Sequence, residues 1–191
     1  MTAFALDEYV GLAHGHPESY AEVVRRDVTA RRGLDPARVH VPDGTAGDPD
    51  AAADRFEAAI QASGGIAVQL LGIGENGHIG FNEPGSPFDS RTRRVRLAEP
   101  ARRASARVFH SAHDDAQMAI TQGIRTILDA DAIVLVALGA TKAEAVARAI
   151  DGPVSDDCPA STLQLHRDVT FVLDRPGASK LAACHDRPSR S

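Results

Sequence analysis

Residues 66–92, IAVQLLGIGENGHIGFNEPGSPFDSRT, constrain the fold more tightly than any other stretch of the chain. The run from Ile66 to Ile73 is apolar with one polar interruption, Gln69, and predicts a buried strand. Gly72, Gly74 and Gly77 break it, and Glu75, Asn76, His78, Asn82 and Glu83 follow within a few positions. Polar residues between glycines directly after a buried strand lie where an open α/β sheet places its ligand, beyond the carboxyl ends of its strands. Pro84, Gly85 and Pro87 stop a helix from starting, so the segment is expected to be a loop of fixed shape.

The residue types of that loop suit proton transfer. His78 can pass a proton either way near neutrality. Glu83, five residues on, would orient the imidazole and stabilise its charge. Asn76 can donate and accept at once, and so can hold a hydroxyl. The competing reading is that these side chains only hydrogen-bond a complicated loop. A lone histidine would be read that way; a His, a Glu and two Asn in one glycine-punctuated loop favour a site.

The length of 191 residues suits one domain over 1–191 with room for a core. A net charge of −5 leaves no basic footprint for nucleic acid, and with aromatics at 4% there is no base-stacking surface. No apolar run approaches a membrane span, and the N-terminus, with Asp7 and Glu8 already in it, lacks the basic start of a signal peptide. Cys158 and Cys184 are too few for a disulfide framework and lack metal-ligand spacing. A cytoplasmic location is the expectation.

Along the chain, Thr2 to Leu6 predicts a strand running into Asp7, Glu8 and Tyr9, with Glu8 an ordinary solvated charge. His14 and His16 are expected in a loop, having no carboxylate or cysteine at ligand spacing. A helix follows through about Arg31, with Tyr20, Val23, Val24 and Val28 on its apolar face and Arg25, Arg26, Arg31 and Arg32 solvated; Gly33 ends it. Val39 to Pro42 reads as a short strand and Asp43-Gly44 as a turn; Asp48-Pro49 then opens a helix from about Asp50 to Ala62, closed by Gly64-Gly65, with Phe56 and Ile60 in the core. After the glycine loop, Arg93 to Leu97 alternates as a strand with one buried side; Arg91, Arg93 and Arg94 could meet a phosphate, but a solvated face is the favoured reading, and a helix is expected over 99–109. Met118 to Thr121 is a short apolar piece and Ile124 to Ala130 a short helix. Ala132 to Leu138 is a second apolar strand, ending at Gly139, with Lys142 in the first turn of the next helix, where backbone N–H groups and an ammonium suit a phosphate. A helical turn over Ser161–His166, a strand over Val169–Leu173 and a fraying helix from Ala178 complete the chain. Strands alternating with helices predict an α/β fold on a mostly parallel sheet.

GENGHIGFNEPGSPFDSRT resembles the signature of the glucosamine-6-phosphate deaminase (glucosamine-6-phosphate isomerase) family. LDEYVGL at Leu6–Leu12, ALGATKAEAV from Ala137 and CPASTLQLH, ending at His166, agree with it in the same order, so the resemblance covers nearly the whole chain. It implies a Rossmann-like sheet with helices on both faces, and conversion of glucosamine 6-phosphate and water to fructose 6-phosphate and ammonia. His78, positioned by Glu83 and assisted by Asn76, would open the sugar ring; Asp7 would carry the proton between adjacent carbons; Arg107 and Lys142 would hold the phosphate. No cofactor or metal is implied, because the substrate's own carbonyl is the electron sink. Many members carry Asp where this chain has Asn76, and Arg125 stands where a small residue is expected. In some members the neighbourhood of Arg93 contributes to an effector site between subunits, so a homo-oligomer is open. The family also begins with a strand and a GGTP-type phosphate loop upstream of LDEYVGL; this sequence starts almost on that segment, and the expectation is an N-terminally truncated domain whose natural product is longer. Three alternatives stand beside the deaminase: a 6-phosphogluconolactonase, whose loop lacks the FNEP continuation; an isomerase of another phosphorylated amino sugar; and a non-catalytic sugar-phosphate binder.

Overall fold

The computed structural model describes residues 1–97 and 117–182. They fall into two compact units, one of 1–66 and 89–127, the other of 67–88 and 128 onward.

In the first unit the N-terminal segment makes two strands rather than one. β1 (Ala3–Phe4) pairs in parallel with β3 (Val39–His40), and β2 (Asp7–Tyr9) pairs antiparallel with β6 (Met118–Thr121). β5 (Arg93–Arg96) flanks β6 on its other side, giving an antiparallel order β2-β6-β5. This antiparallel piece departs from the mostly parallel pairing that the sequence predicts, and its short strands, far apart in the sequence, carry no hairpin signal to announce it. The helix after the His14–His16 loop starts at a Ser19 cap as α1 (Tyr20–Val23), passes through a π-helical stretch, Val24–Thr29, and ends as α2 (Ala30–Arg32). The π stretch turns residues off the α-helical register, and Val28, expected inside, is exposed. Gly33 closes the helix in the left-handed conformation. α3 (Pro49–Ala62) has the start its sequence requires: Asp48 accepts the N–H groups of Asp50 and Ala51, and Pro49 fills the first turn. It lies against β5 and β6, with Ala52 and Ala53 packed on Ile120. Phe56 meets Phe4 edge-on at 5.8 Å.

Glu57 of α3 is buried and binds the far side of this unit. It accepts the hydroxyl of Thr92 at 2.6 Å, the Thr92 N–H at 3.2 Å and the hydroxyl of Thr126 in α4 (Ile124–Leu128) at 2.9 Å. Arg91 approaches Glu57 at 3.4 Å and Arg94 grips Asp50 through two nitrogens; both arginines are exposed, as a solvated face requires, and fasten α3 from there. Arg125 projects from the exposed side of α4, where a long side chain meets no packing penalty.

The second unit is a parallel sheet of order β4-β7-β8, formed by Val68–Leu71, Ala132–Ala137 and Val169–Leu173. Ile133, Leu135 and Ala137 of the central strand are buried. β4 is not the fully buried strand its composition predicts: Gln69 and Leu71 point inward, while Val68 and Leu70 are 61% and 64% exposed. Period-two alternation of exposure along a largely apolar stretch is invisible to a reading by hydropathy. α5 (Ala143–Ile150) buries Ala143, Ala145, Val146 and Ala149 and packs on a 3-10 segment, Pro159–Leu165. His166 locks the segment's end: Nε2 donates to the Ala130 carbonyl at 2.8 Å and Nδ1 accepts the Asp168 N–H at 3.1 Å. After β8 the chain forms turns through residue 182 in place of the expected helix.

Candidate active site

The loop after β4 is held from both ends. Gly74 N–H donates to the His78 carbonyl at 2.9 Å and Gly77 N–H to the Gly74 carbonyl at 3.0 Å. Gly77 in turn accepts from Ala160 N–H, and Gly85 N–H donates to the Asp156 carbonyl, which ties the loop to the 3-10 segment and the turn before it. Two glycines are dictated by space. A Cβ on Gly74 would run into the His78 ring, and one on Gly77, already at φ +90°, would lie 2.5 Å from the Cys158 sulfur. Asn82 is wholly buried, with its amide donating to the Ile79 carbonyl, so it is part of the loop's frame.

Asn76, His78 and Glu83 come together as one hydrogen-bonded group. His78 Nδ1 lies 2.8 Å from Asn76 Oδ1 and 3.5 Å from Glu83 Oε1. The Asn76 amide donates to Glu83 Oε2 at 2.6 Å, and its Oδ1 also accepts the His78 N–H at 3.2 Å. Asn76 thus engages its oxygen and one amide hydrogen inside the loop. Its amide joins a histidine to a carboxylate, a link that a charged aspartate could not make beside Glu83 without like-charge repulsion. The His78 and Asn76 contacts hold the Glu83 carboxyl below its ordinary range against the opposing effect of burial. An ionised Glu83 and the Asn76 oxygen both face Nδ1, so in the neutral ring Nδ1 carries the proton and Nε2 presents its lone pair. The side chain of His78 is 34% exposed, open enough for a solute to reach it.

Asp7 stands in β2, with Thr121 opposite it on β6. Its carboxyl is pushed up to about 7, first by burial and then by the charge of Glu8. A carboxyl poised there exchanges a proton at neutral pH, as a general base must. Glu8 itself is not the solvated charge its sequence position suggests. It is 3% exposed and accepts the N–H groups of Tyr9, Tyr20 and Ala21. The last two lie twelve and thirteen residues away, so no local spacing points to them.

Lys142 ends a 3-10 turn, Ala140–Lys142, at the head of α5. No hydrogen bond or ion pair engages its ammonium among the described residues. The Gly139 N–H, just before that turn, is taken by both oxygens of Asp174 at 3.0 and 3.1 Å. Gly139 and Gly177 hold the Asp174 carboxyl below its usual range. Sequence reasoning missed Asp174 because it comes from the end of β8, far along the chain. Arg107 lies outside the described residues. Among those described, no group of three or more His, Cys, Asp or Glu is arranged to hold a metal, and no helix is long and apolar enough to cross a membrane.

A family model described as glucosamine-6-phosphate isomerases/6-phosphogluconolactonase matches residues 2–172. The chain belongs to this isomerase/lactonase family. Within it, a glucosamine-6-phosphate deaminase of Pseudarthrobacter chlorophenolicus is 54% identical over 180 residues, 94% of this chain and 70% of the relative. One of Cutibacterium acnes is 52% identical over 181 residues, 95% of this chain and 69% of the relative. Among solved structures, a monomeric glucosamine-6-phosphate deaminase superposes with a TM-score of 0.89 at 45% identity, covering 94% of this chain and 74% of that one. A 6-phosphogluconolactonase of Trypanosoma brucei reaches 0.69 at 21% identity, over 94% of this chain and 73% of that one, a likeness of fold alone. The sequence's two leading readings thus fall in one family, and the identities separate them. The deaminase branch shares about half of all residues with this chain, against about a fifth for that lactonase.

Proposed function

We propose that the chain is a glucosamine-6-phosphate deaminase, releasing ammonia and fructose 6-phosphate from glucosamine 6-phosphate and water. One observation carries the reading beyond family membership: the His78–Asn76–Glu83 group, which leaves a lone pair at Nε2 on a histidine braced by an ionised carboxylate. At the sugar, Nε2 takes the proton of the anomeric hydroxyl and returns it to the ring oxygen, opening the ring to the aldehyde. Asp7, as the base, removes the proton from C2 while the substrate's ammonium gives one to O1, and then delivers its own proton to C1. The resulting C2 imine adds water and expels ammonia, so one water is consumed per turn. Lys142 holds the phosphate as a compact cation, with Arg107 as its second contact by resemblance. The chemistry is aldose-ketose isomerisation closed by hydrolysis, in the cytoplasm, in amino-sugar breakdown. The single family model running across both units supports reading them as one catalytic domain.

The experiment is His78→Asn. Turnover of glucosamine 6-phosphate should fall about 10²–10⁴-fold, the usual range for a general acid or base, with KM little changed. A variant that loses affinity and keeps its maximal rate would make His78 a binding residue and sink the assignment.

A further inference from the structure

Glu8 has no part in the steps just described, yet it is buried beside Asp7. Its Oε1 accepts the Tyr9 N–H at 2.7 Å and the Tyr20 N–H at 3.0 Å, and its Oε2 the Ala21 N–H at 2.7 Å. Three donors converging on two oxygens suit an acceptor-only carboxylate; a carboxylic acid would have to point its own proton into the same crowd. The clamp also fixes where Tyr20 stands, and the Tyr20 ring rests on Tyr9 with centroids 5.0 Å apart and hydroxyls 3.5 Å apart.

Among the described residues, no lysine or arginine pairs with Glu8 to neutralise this charge. Glu8 lines a cavity of about 310 Å³ together with Tyr9, His14, Glu22, Arg25 and Asp43. Arg25 is engaged by Glu22 at 2.5 Å, and Asp43 accepts the N–H and hydroxyl of Thr45. Across the strand pair, Ile120 and Thr121 of β6 are uncharged. Tyr20, from the helix that follows, has its hydroxyl proton held more tightly, first by burial and then by Asp7.

Resting on the reading of Asp7 as the base, we propose that Glu8 is a positioning residue for it: a charge clamped by three backbone N–H groups repels an ionised Asp7 and makes it the stronger base. Glu8 touches no substrate in this role. It acts through Asp7, by like-charge repulsion across adjacent residues of one strand. Its own carboxyl is raised by burial, opposed by the three N–H contacts.

Two measurements on the full chain test this. In the unaltered protein, carbon-13 NMR of the side-chain carboxyls should show Glu8 losing its proton at lower pH than Asp7; the reverse order overturns the proposal, and no variant has to fold for that result. In Glu8→Gln, the Asp7 midpoint should fall by about one pH unit, and the acidic limb of kcat/KM should move with it. An unmoved midpoint, with Asp7→Asn inactive, overturns the role of Glu8 and leaves the reading of Asp7 standing. Full turnover by Asp7→Asn overturns that reading and the inference with it.

Discussion

Asp7→Asn should stabilise the protein while abolishing turnover, and the gain should depend on pH in a defined way. The Asp7 carboxyl is half-buried, finds no compensating cation opposite it on β6 or beside it in β2, and titrates at about 7 against an ordinary 3.8. Below the ordinary value it is neutral in both folded and unfolded chains. Between about 4 and 7 the folded protein keeps a proton that the unfolded chain has released, so stability falls as pH rises through this window. Above about 7 the loss is complete. At about 1.36 kcal/mol per pH unit the full window amounts to about 4 kcal/mol. Water reaching the half-buried group screens part of it, and a net effect of about 2–4 kcal/mol is expected. The neutral amide of the variant is spared this cost. Urea unfolding of both proteins from about pH 4 to about pH 9 gives the difference directly, and effects of titrating groups that do not interact with Asp7 cancel in it. The variant should match the parent near the acid end, gain with rising pH, and level off above about 7. A difference that is flat across the range, or a variant less stable than its parent at the alkaline end, would refute the reasoning from burial.

Gly74→Ala should cut turnover sharply while leaving cooperative melting intact, because its Cβ would collide with the His78 ring and must displace it; unchanged kcat would mean that the ring position does not matter. Glu57→Gln should cost about 1–3 kcal/mol in urea unfolding through its contacts to Thr92 and Thr126. Burial opposes ionisation of Glu57, and its hydrogen bonds outweigh burial and lower its pKa, so its contribution is present above about pH 4.5 and lost as pH falls through the lowered value. An acid-unfolding profile identical to the parent's would contradict this. Lys142→Ala should raise KM for glucosamine 6-phosphate about ten- to hundredfold, the equivalent of roughly 1.5–3 kcal/mol for a charge-assisted contact, and barely alter the weak reaction with unphosphorylated glucosamine. Equal losses on both sugars would assign Lys142 a structural role.

What the sequence made legible was local. The cap at Asp48, the stop at Gly33, the strand over Ala132–Ala137 and the glycine-bounded loop around His78 all follow from residues close together in the chain. Asn76, His78 and Glu83 could be grouped because they lie within one loop. What the sequence concealed depends on distant partners. Glu8 reads as a surface acid until the N–H groups of Tyr20 and Ala21 are brought over it, and Asp174 reads as a strand-end charge until Gly139 lies beside it. The antiparallel β2-β6-β5 order was hidden for the same reason, since its strands are separated by long connections. For Asn76 the sequence shows a donor and an acceptor, and the structure adds partners for them within the loop, Glu83 and His78.

The most direct test of the central claim is to incubate the 191-residue chain with glucosamine 6-phosphate and measure ammonia and fructose 6-phosphate together. The two should appear in equal amounts, and 6-phosphogluconolactone should be left to its spontaneous rate of hydrolysis. Accelerated hydrolysis of the lactone, with no ammonia from the amino sugar, would contradict the assignment.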